Sequence, residues 1–245
     1  MKQFIRHQGL CLLFALSGAT TFAKTFVVGG LYSETSMGHF GCTCSREALC
    51  VSEGLAHEVQ KRGENVRFQN IAPGYAPMSI VTAANTVTNL AYDAAVGATL
   101  SSDAIIAADI FERAGIPFVT PTATNPRVTE GKTLSVRMAF SDRRQAMLLA
   151  GVALSEAKSG GIAVFSNISQ PYSDFLGKQF IAELRKVQPE IKVTDFKLLD
   201  GVSNLPDIVT KALANRPAVI FAPLYRADLS LIYEELLQQI GRAHV

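Results

Sequence analysis

Tryptophan is absent from the 245 residues, and histidine and cysteine are scarce, at four each. The histidines are His7, His39, His57 and His244, none spaced to pair with another as metal ligands. His57 sits in a stretch rich in Glu53, Glu58 and Lys61 and reads as a solvated surface residue. Also missing are a G-x-S-x-G nucleophile elbow, a phosphate-cradling glycine loop and an HExxH pair. A hydrolase needs a nucleophile with a base beside it, and none can be placed. These absences predict a protein that is not an enzyme and carries no metal and no cofactor.

Charge of one sign is lacking too. Lys2 and Arg6 lie in the first seven residues; removing them from the 23 basic side chains leaves 21, against 21 acidic ones, with no basic block. A nucleic-acid or anionic-membrane partner would require a clustered positive face. Long apolar runs are missing as well. The run Gly9-Leu-Cys-Leu-Leu-Phe-Ala-Leu16 is far short of the roughly 20 residues a spanning helix requires. It follows the two positive charges and leads to Thr21-Phe-Ala23, a small-x-small cleavage pattern. Residues 1–23 therefore read as a secretory signal peptide cleaved after Ala23, which places the mature chain in the periplasm or outside the cell. Cys11 follows Leu10, not a small residue, and so is a poor lipoprotein cysteine.

In such an oxidising compartment, Gly41-Cys-Thr-Cys-Ser-Arg-Glu-Ala-Leu-Cys50 stands out. Three thiols in nine residues suggest a local disulfide and one thiol left over, Cys50 pairing with Cys42 or Cys44. The other readings are a thiolate metal site and Cys50 as a small core residue on the first helix.

What is present is alternation. Short apolar runs, Thr25-Phe-Val-Val-Gly29, Asn65–Ile71, Asp93–Gly97, Gly115–Val119, Ser135–Phe140, Gly161–Phe165, Ile191–Phe196 and Ala218–Ala222, predict strands. Between and after them, helical spacing predicts helices over 45–61, 77–90, 101–114, 141–156, 172–186, 205–214 and 226–239. Ile80, Ala83, Ala84, Val87 and Leu90 share one face, and so do Ile106, Ile110 and Ala114. Ser101, Ser102 and Asp103 suit the orphan amides at one helix start, and Gly115 suits its end. Strand–helix repetition predicts an α/β protein of parallel sheets covered by helices, with ligands gathering at loops beyond the carboxyl ends of strands. Those loops are Gly97–Ser102, TPTATNPRVTEG over 120–131, Ser166–Tyr172 and Pro223–Tyr225. They are rich in hydroxyls, open backbone groups and tyrosines and poor in charge, a surface for binding more than for catalysis. Thr and Pro at a strand exit also make ordinary turns and caps.

The segment AYDAAVGATLSSDAIIAADIFERAGIPFVTPTATNPRVTEG, with its SS-D-A, AGIP and P-T-A-T-N-P elements, resembles the type I periplasmic binding proteins, similar to the leucine/isoleucine/valine receptors of ABC importers. The resemblance extends more weakly from Lys24 to about Leu237. It implies a two-lobed, Rossmann-like fold, with a first lobe over 24–140, a partial second lobe over 141–239, and an amino-acid ligand in the cleft between them. By the same resemblance, Ser101, its neighbour Ser102 and the loop Pro121–Thr124, with Thr122, Ala123 and Thr124, hold the ligand's carboxylate and ammonium. Tyr172 and Tyr225 line the cleft from the second lobe, and Phe40 lines the side-chain pocket. The implied partners are a small amino acid-like molecule and the membrane subunits of an ABC permease. Sensory ectodomains and amide sensors of the same fold are the alternative, and a redox or metal protein built on Cys42, Cys44 and Cys50 is a third class.

The resemblance stops inside a second-lobe helix, so a C-terminally truncated chain is expected. Ile240-Gly-Arg-Ala-His-Val245 is expected to be a non-native tail.

Overall fold

The computed structural model describes residues 24–33, 44–73, 77–158, 160–201 and 204–242. Residues 1–23, expected to be a signal peptide, Phe40 and Cys42 lie outside the described residues.

The first half builds one sheet from β1 (Phe26–Leu31), β2 (Val66–Asn70), β3 (Ala94–Gly97), β4 (Phe118–Thr120) and β5 (Ser135–Arg137). Every pair is parallel, in the order β2-β1-β3-β4-β5. Parallel neighbours require crossovers, supplied by α1 (Cys44–Lys61), α2 (Pro77–Asn89) and α3 (Ser101–Ala114). The chain then passes through α4 (Asp142–Ala157) into a second sheet. Its strands are β6 (Gly161–Asn167), β7 (Val193–Leu198) and β8 (Pro217–Phe221), parallel in the order β7-β6-β8. Around it lie α5 (Pro171–Val187), α6 (Leu205–Ala214) and α7 (Arg226–Arg242). The strand–helix repetition expected from the sequence is the observed one. No helix among the described residues is long and apolar enough to cross a membrane.

In both sheets the order reverses around a central strand, between β1 and β3 in the first and between β6 and β8 in the second. Connections leaving adjacent strands in opposite directions open a crevice at the carboxyl ends. That crevice is where the four loops singled out in the sequence emerge.

Small residues let the helices pack closely. Ala84, Ala104, Ala107 and Ala108 are fully buried with Val87, Phe111 and Phe118 in the first core. In the second, Ala146, Ala150, Ala153 and Ala157 recur along α4 and meet Leu176, Phe180 and Leu184 of α5. At about 25 cal/mol per Å² of apolar surface, such interhelical burial stabilises these helices more than their intrinsic propensity does.

Two expected helix faces differ in detail. Leu90 is 54% exposed, because α2 ends at Asn89 and the chain turns away. On α3 Ile110 is buried as expected, together with Ser101, Ala104, Ile105, Ala107, Ala108 and Phe111, while Ile106 is half-buried and Ala114 exposed. Gly115 closes α3 in the left-handed region at φ 72°, and Ile116 N–H then bonds back to the Phe111 carbonyl at 3.0 Å. This turn delays the following strand to Phe118.

Cys50 is an exposed, free thiol and not a core residue, because it lies on the outer face of α1. Cys44 and Cys50 share that helix, and six residues at 1.5 Å each place them about 9 Å apart along its axis. A disulfide tolerates less than about 7 Å between Cα atoms, so Cys44 is ruled out as its partner within the intact helix.

Candidate functional site

The crevice is a cleft of about 480 Å³ lined by Thr99, Ser101, Thr122, Thr124, Phe140, Gln145, Tyr172, Leu224, Tyr225 and Arg226. Five of these, Ser101, Thr122, Thr124, Tyr172 and Tyr225, come from the residues picked out in the sequence. Loops after β3 and β4 supply one wall; the start of α5 and the loop after β8 supply the other.

On the first wall, Gly97 turns the chain at φ 128°, where an added Cβ would lie 2.9 Å from the Leu31 amide nitrogen. Four residues later α3 begins. Its N-cap is Leu100, in extended conformation and without a side-chain capping bond. The expected capping by Ser101 or Ser102 does not occur. Ser101 is already inside the helix and 3% exposed, and the Ser102 hydroxyl bonds to the Asp103 carboxylate at 3.3 Å. Orphan amides at a helix start, with the macrodipole behind them, favour an anion.

The threonines of TPTATNPRVTEG divide their work. Thr120 donates to the Ala98 carbonyl at 3.0 Å and Thr122 to the Thr99 carbonyl at 2.9 Å, sewing the loop after β4 to the loop after β3. Ala123 is 1% exposed and belongs to the core, its amide turned toward the Thr120 hydroxyl at 3.4 Å. Asn125 accepts from the Arg127 amide at 3.0 Å, capping a short 3-10 turn over Pro126–Val128, and donates across to the Pro171 carbonyl at 2.9 Å. Thr124 alone of the loop keeps its side chain in the cleft without a backbone carbonyl as partner in this set of bonds. Its own carbonyl accepts from Arg137 Nη1 at 2.8 Å and from the Asp142 amide at 3.0 Å.

From the second wall, Tyr172 and Tyr225 stack with ring centroids 5.3 Å apart at 27°. The Tyr225 hydroxyl reaches the Ser101 backbone amide, so the two walls touch through it. Burial holds the Tyr225 phenol well above its ordinary value, with Tyr172, Asp103 and Asp142 adding to the shift and the Ser101 amide opposing it. Tyr172 is raised by burial and by Asp142, against the Gln145 side chain. Burial also raises Asp103, against the Ser102 hydroxyl.

Asp142 is the residue that sequence reasoning missed. It is fully buried at the first turn of α4, and neither carboxylate oxygen has a hydrogen bond of good geometry. Burial pushes its pKa up to about 6, the Thr124 hydroxyl and the Arg137 guanidinium offsetting only part of that cost. An Asp beside Ser141 looks like any helix start, so no signal in the chain marked it. Phe140, Gln145 and Arg226 were missed for the same reason: each lies in an ordinary-looking helix or strand end. Phe40 cannot be placed, since it lies outside the described residues.

Two parallel α/β units, each presenting its switch-point loops, form a two-lobed fold around a shared cleft of hydroxyls, amides and paired tyrosines. No protein-family model matches the chain. An amino acid binding protein of Pseudomonas aeruginosa is 28% identical over 227 residues, covering 90% of this chain and 60% of that protein. A leucine-binding protein, LivK, of Thermotoga maritima superposes with a TM-score of 0.76 at 23% identity, covering 88% of this chain and 60% of that one. A solute-binding protein of an ABC transporter of Rhodopseudomonas palustris, in complex with 4-hydroxybenzoate, gives a TM-score of 0.70 at 16% identity over 90% of this chain and 60% of that one. The chain thus spans about three fifths of the length of these relatives. It has the fold of these two-lobed solute-binding proteins.

Proposed function

We propose that this protein captures a small amino acid in the cleft and, after export to the periplasm, presents it to the membrane subunits of an ABC permease without catalysing a reaction. The observation that carries this reading is a pair of opposite demands beside the tyrosines, helix-start amides met only by the displaceable Tyr225 hydroxyl and a buried carboxylate. The start of α3 has amides with no side-chain cap, suited to a carboxylate. Asp142 has a buried carboxylate with no good partner, suited to an ammonium. A zwitterion meets both at once, with Thr124 and Ser101 adding charge-assisted hydrogen bonds to the carboxylate. Hinge movement about the passage from β5 to α4 is the working step.

An aromatic carboxylate is the second reading, favoured by the Tyr172–Tyr225 stack and by Phe140 in the same cleft. The relative with 4-hydroxybenzoate shows that this fold accommodates such an acid. Isothermal titration with each proteinogenic amino acid and with 4-hydroxybenzoate separates them. Saturable binding of an amino acid that is weakened in Asp142→Asn supports the first reading. Binding of 4-hydroxybenzoate alone, indifferent to Asp142→Asn, would replace it with the second.

A further inference from the structure

Among the described residues, the polar contacts between the two units differ in depth. Asn125, at the end of the loop after β4 in the first unit, is 1% exposed, and its Nδ2 donates to the Pro171 carbonyl at the start of α5 in the second, at 2.9 Å. The Tyr225 hydroxyl meets the Ser101 amide across the cleft. Arg143 Nη2 of α4 meets Glu130 Oε1 at 2.9 Å, but both side chains are more than half exposed, and an exposed pair contributes little. The Asn125 bond is the buried fastening between side chain and opposite unit.

Both ends of this bond are held by their own unit. Asn125 Oδ1 accepts from the Arg127 amide at 3.0 Å, which orients the side chain with its amide nitrogen toward Pro171. On the other side, Gln170 immediately precedes Pro171. Its Nε2 donates to Asp200 Oδ1 and Asp228 Oδ2 at 3.0 Å each, and Asn167 Nδ2 donates to the same two oxygens at 2.7 and 3.0 Å. These bonds tie the β6–α5 connection to the turn after β7 and to the first turn of α7, so the Pro171 carbonyl is fixed to the body of the second unit. A carbonyl oxygen has two lone pairs, so Pro171 accepts from Asn125 without giving up its place in α5.

The bond also lies beside the passage between the units. The amide of Asp142, the first residue of α4, donates to the carbonyl of Thr124, next to Asn125, at 3.0 Å. A buried bond at that place limits the angle between the units, and the Tyr225–Ser101 contact, made by other loops, forms only when the angle is right. We propose that Asn125 is a positioning residue that fixes the angle at which the two units meet, and through it the binding-competent shape of the cleft. Asn125 itself is not among the residues lining the cleft. The inference rests on the solute-binding reading only for its effect on affinity, which falls with the fraction of protein in the competent arrangement.

The test is amide hydrogen exchange of the ligand-free full chain, read by NMR at Ser101 and Arg127. The Ser101 amide stands at the first position of α3 and has no partner within the helix, so its protection reports the Tyr225 contact. Asn125→Asp keeps the acceptor for the Arg127 amide and removes the donor to Pro171. Exchange at Ser101 should quicken, by up to about tenfold for one lost hydrogen bond, while Arg127 keeps its wild-type rate. Asn125→Ser also caps a turn but is too short to reach Pro171; the same result is expected of it, which keeps the test sound if the buried carboxylate of Asn125→Asp disrupts the loop. Wild-type exchange at Ser101 in both variants overturns the proposal. So does faster exchange at Arg127 alone, or at both amides in both variants, either of which would make Asn125 a turn cap and nothing more. The readout uses no ligand, so the amino-acid reading and this inference can fail separately.

Discussion

The Tyr225 hydroxyl, carried by the second unit, meets the Ser101 backbone amide at the start of α3 in the first. An uncapped helix start is thereby satisfied by a group from the opposite wall of the cleft. A ligand carboxylate at the same amides must compete with that phenol.

Competition gives the first prediction. Tyr225→Phe keeps the stack on Tyr172 and removes the competitor, whose hydrogen bond is worth about 0.5–1.5 kcal/mol net. Affinity for the ligand should stay the same or rise, by up to about tenfold. Tyr225→Ala removes the stacking surface also and should weaken binding by about tenfold or more. Calorimetry on both variants decides: a large loss in Tyr225→Phe would make the hydroxyl a ligand group and not a placeholder.

Thr124→Val keeps the side-chain shape and deletes the hydroxyl that faces the cleft. A hydrogen bond to a charged group is worth about 1.5–3 kcal/mol, so binding should weaken about tenfold or more, while the melting temperature of the free protein falls only modestly, through the lost support of the Asp142 carboxylate. A variant that melts much earlier and binds normally would show that the hydroxyl serves only the turn.

Asp142 makes stability depend on pH. Its carboxyl ionises near 3.8 when the chain is unfolded and at about 6 when folded. The folded state therefore holds the proton more tightly. Nothing is lost below about pH 4, stability falls as pH rises from about 4 to 6, and the full penalty of about 3 kcal/mol is present above 6. Asp142→Asn should flatten this slope and raise the melting temperature at pH 7. An amino-acid ammonium beside the carboxylate would favour its ionised form, so ligand affinity should increase between pH 5 and 7. Melting curves across pH 4–8 with and without ligand test both signs; a wild-type profile that rises over this range in the absence of ligand would refute the assignment.

Gly97→Ala should destabilise the first unit strongly. The φ of 128° strains any residue with a Cβ, and that Cβ would lie 2.9–3.1 Å from the Leu31 backbone, which cannot step aside without breaking the pairing of β1 with β3. A loss of at least about 1–3 kcal/mol is expected from the strain alone, read by chemical denaturation. An unchanged midpoint would mean that the loop after β3 adopts another course.

Much of the fold was legible because its signals are local. Runs such as Gly161–Phe165 and the small residues of α4 state their period within a dozen neighbours, and Gly115 marks a helix end through its own backbone freedom. The site was legible in part. Thr124, Tyr172 and Tyr225 were picked out from the loops at strand ends and from family resemblance, and the structure brings them to one cleft with Ser101. Thr122 lines the same cleft, though its hydroxyl serves the Thr99 carbonyl. Ala123 packs in the core.

By itself, the sequence determined the order of strands and helices, the parallel α/β class that such alternation demands, and the loops where a ligand would gather. Those follow from the spacing of apolar side chains and from turn residues, properties of adjacent positions. Only tertiary structure decided that Asp142 is stripped of water without a partner, that α3 starts uncapped against Tyr225, and that Asn167 and Gln170 hold Asp200 and Asp228 together. Desolvation and hydrogen-bond partnership depend on which distant segments share a volume. Tyr172 and Tyr225, or Asn167 and Asp228, whose numbers differ by 61, meet only once the second unit has folded, and no local period records that meeting.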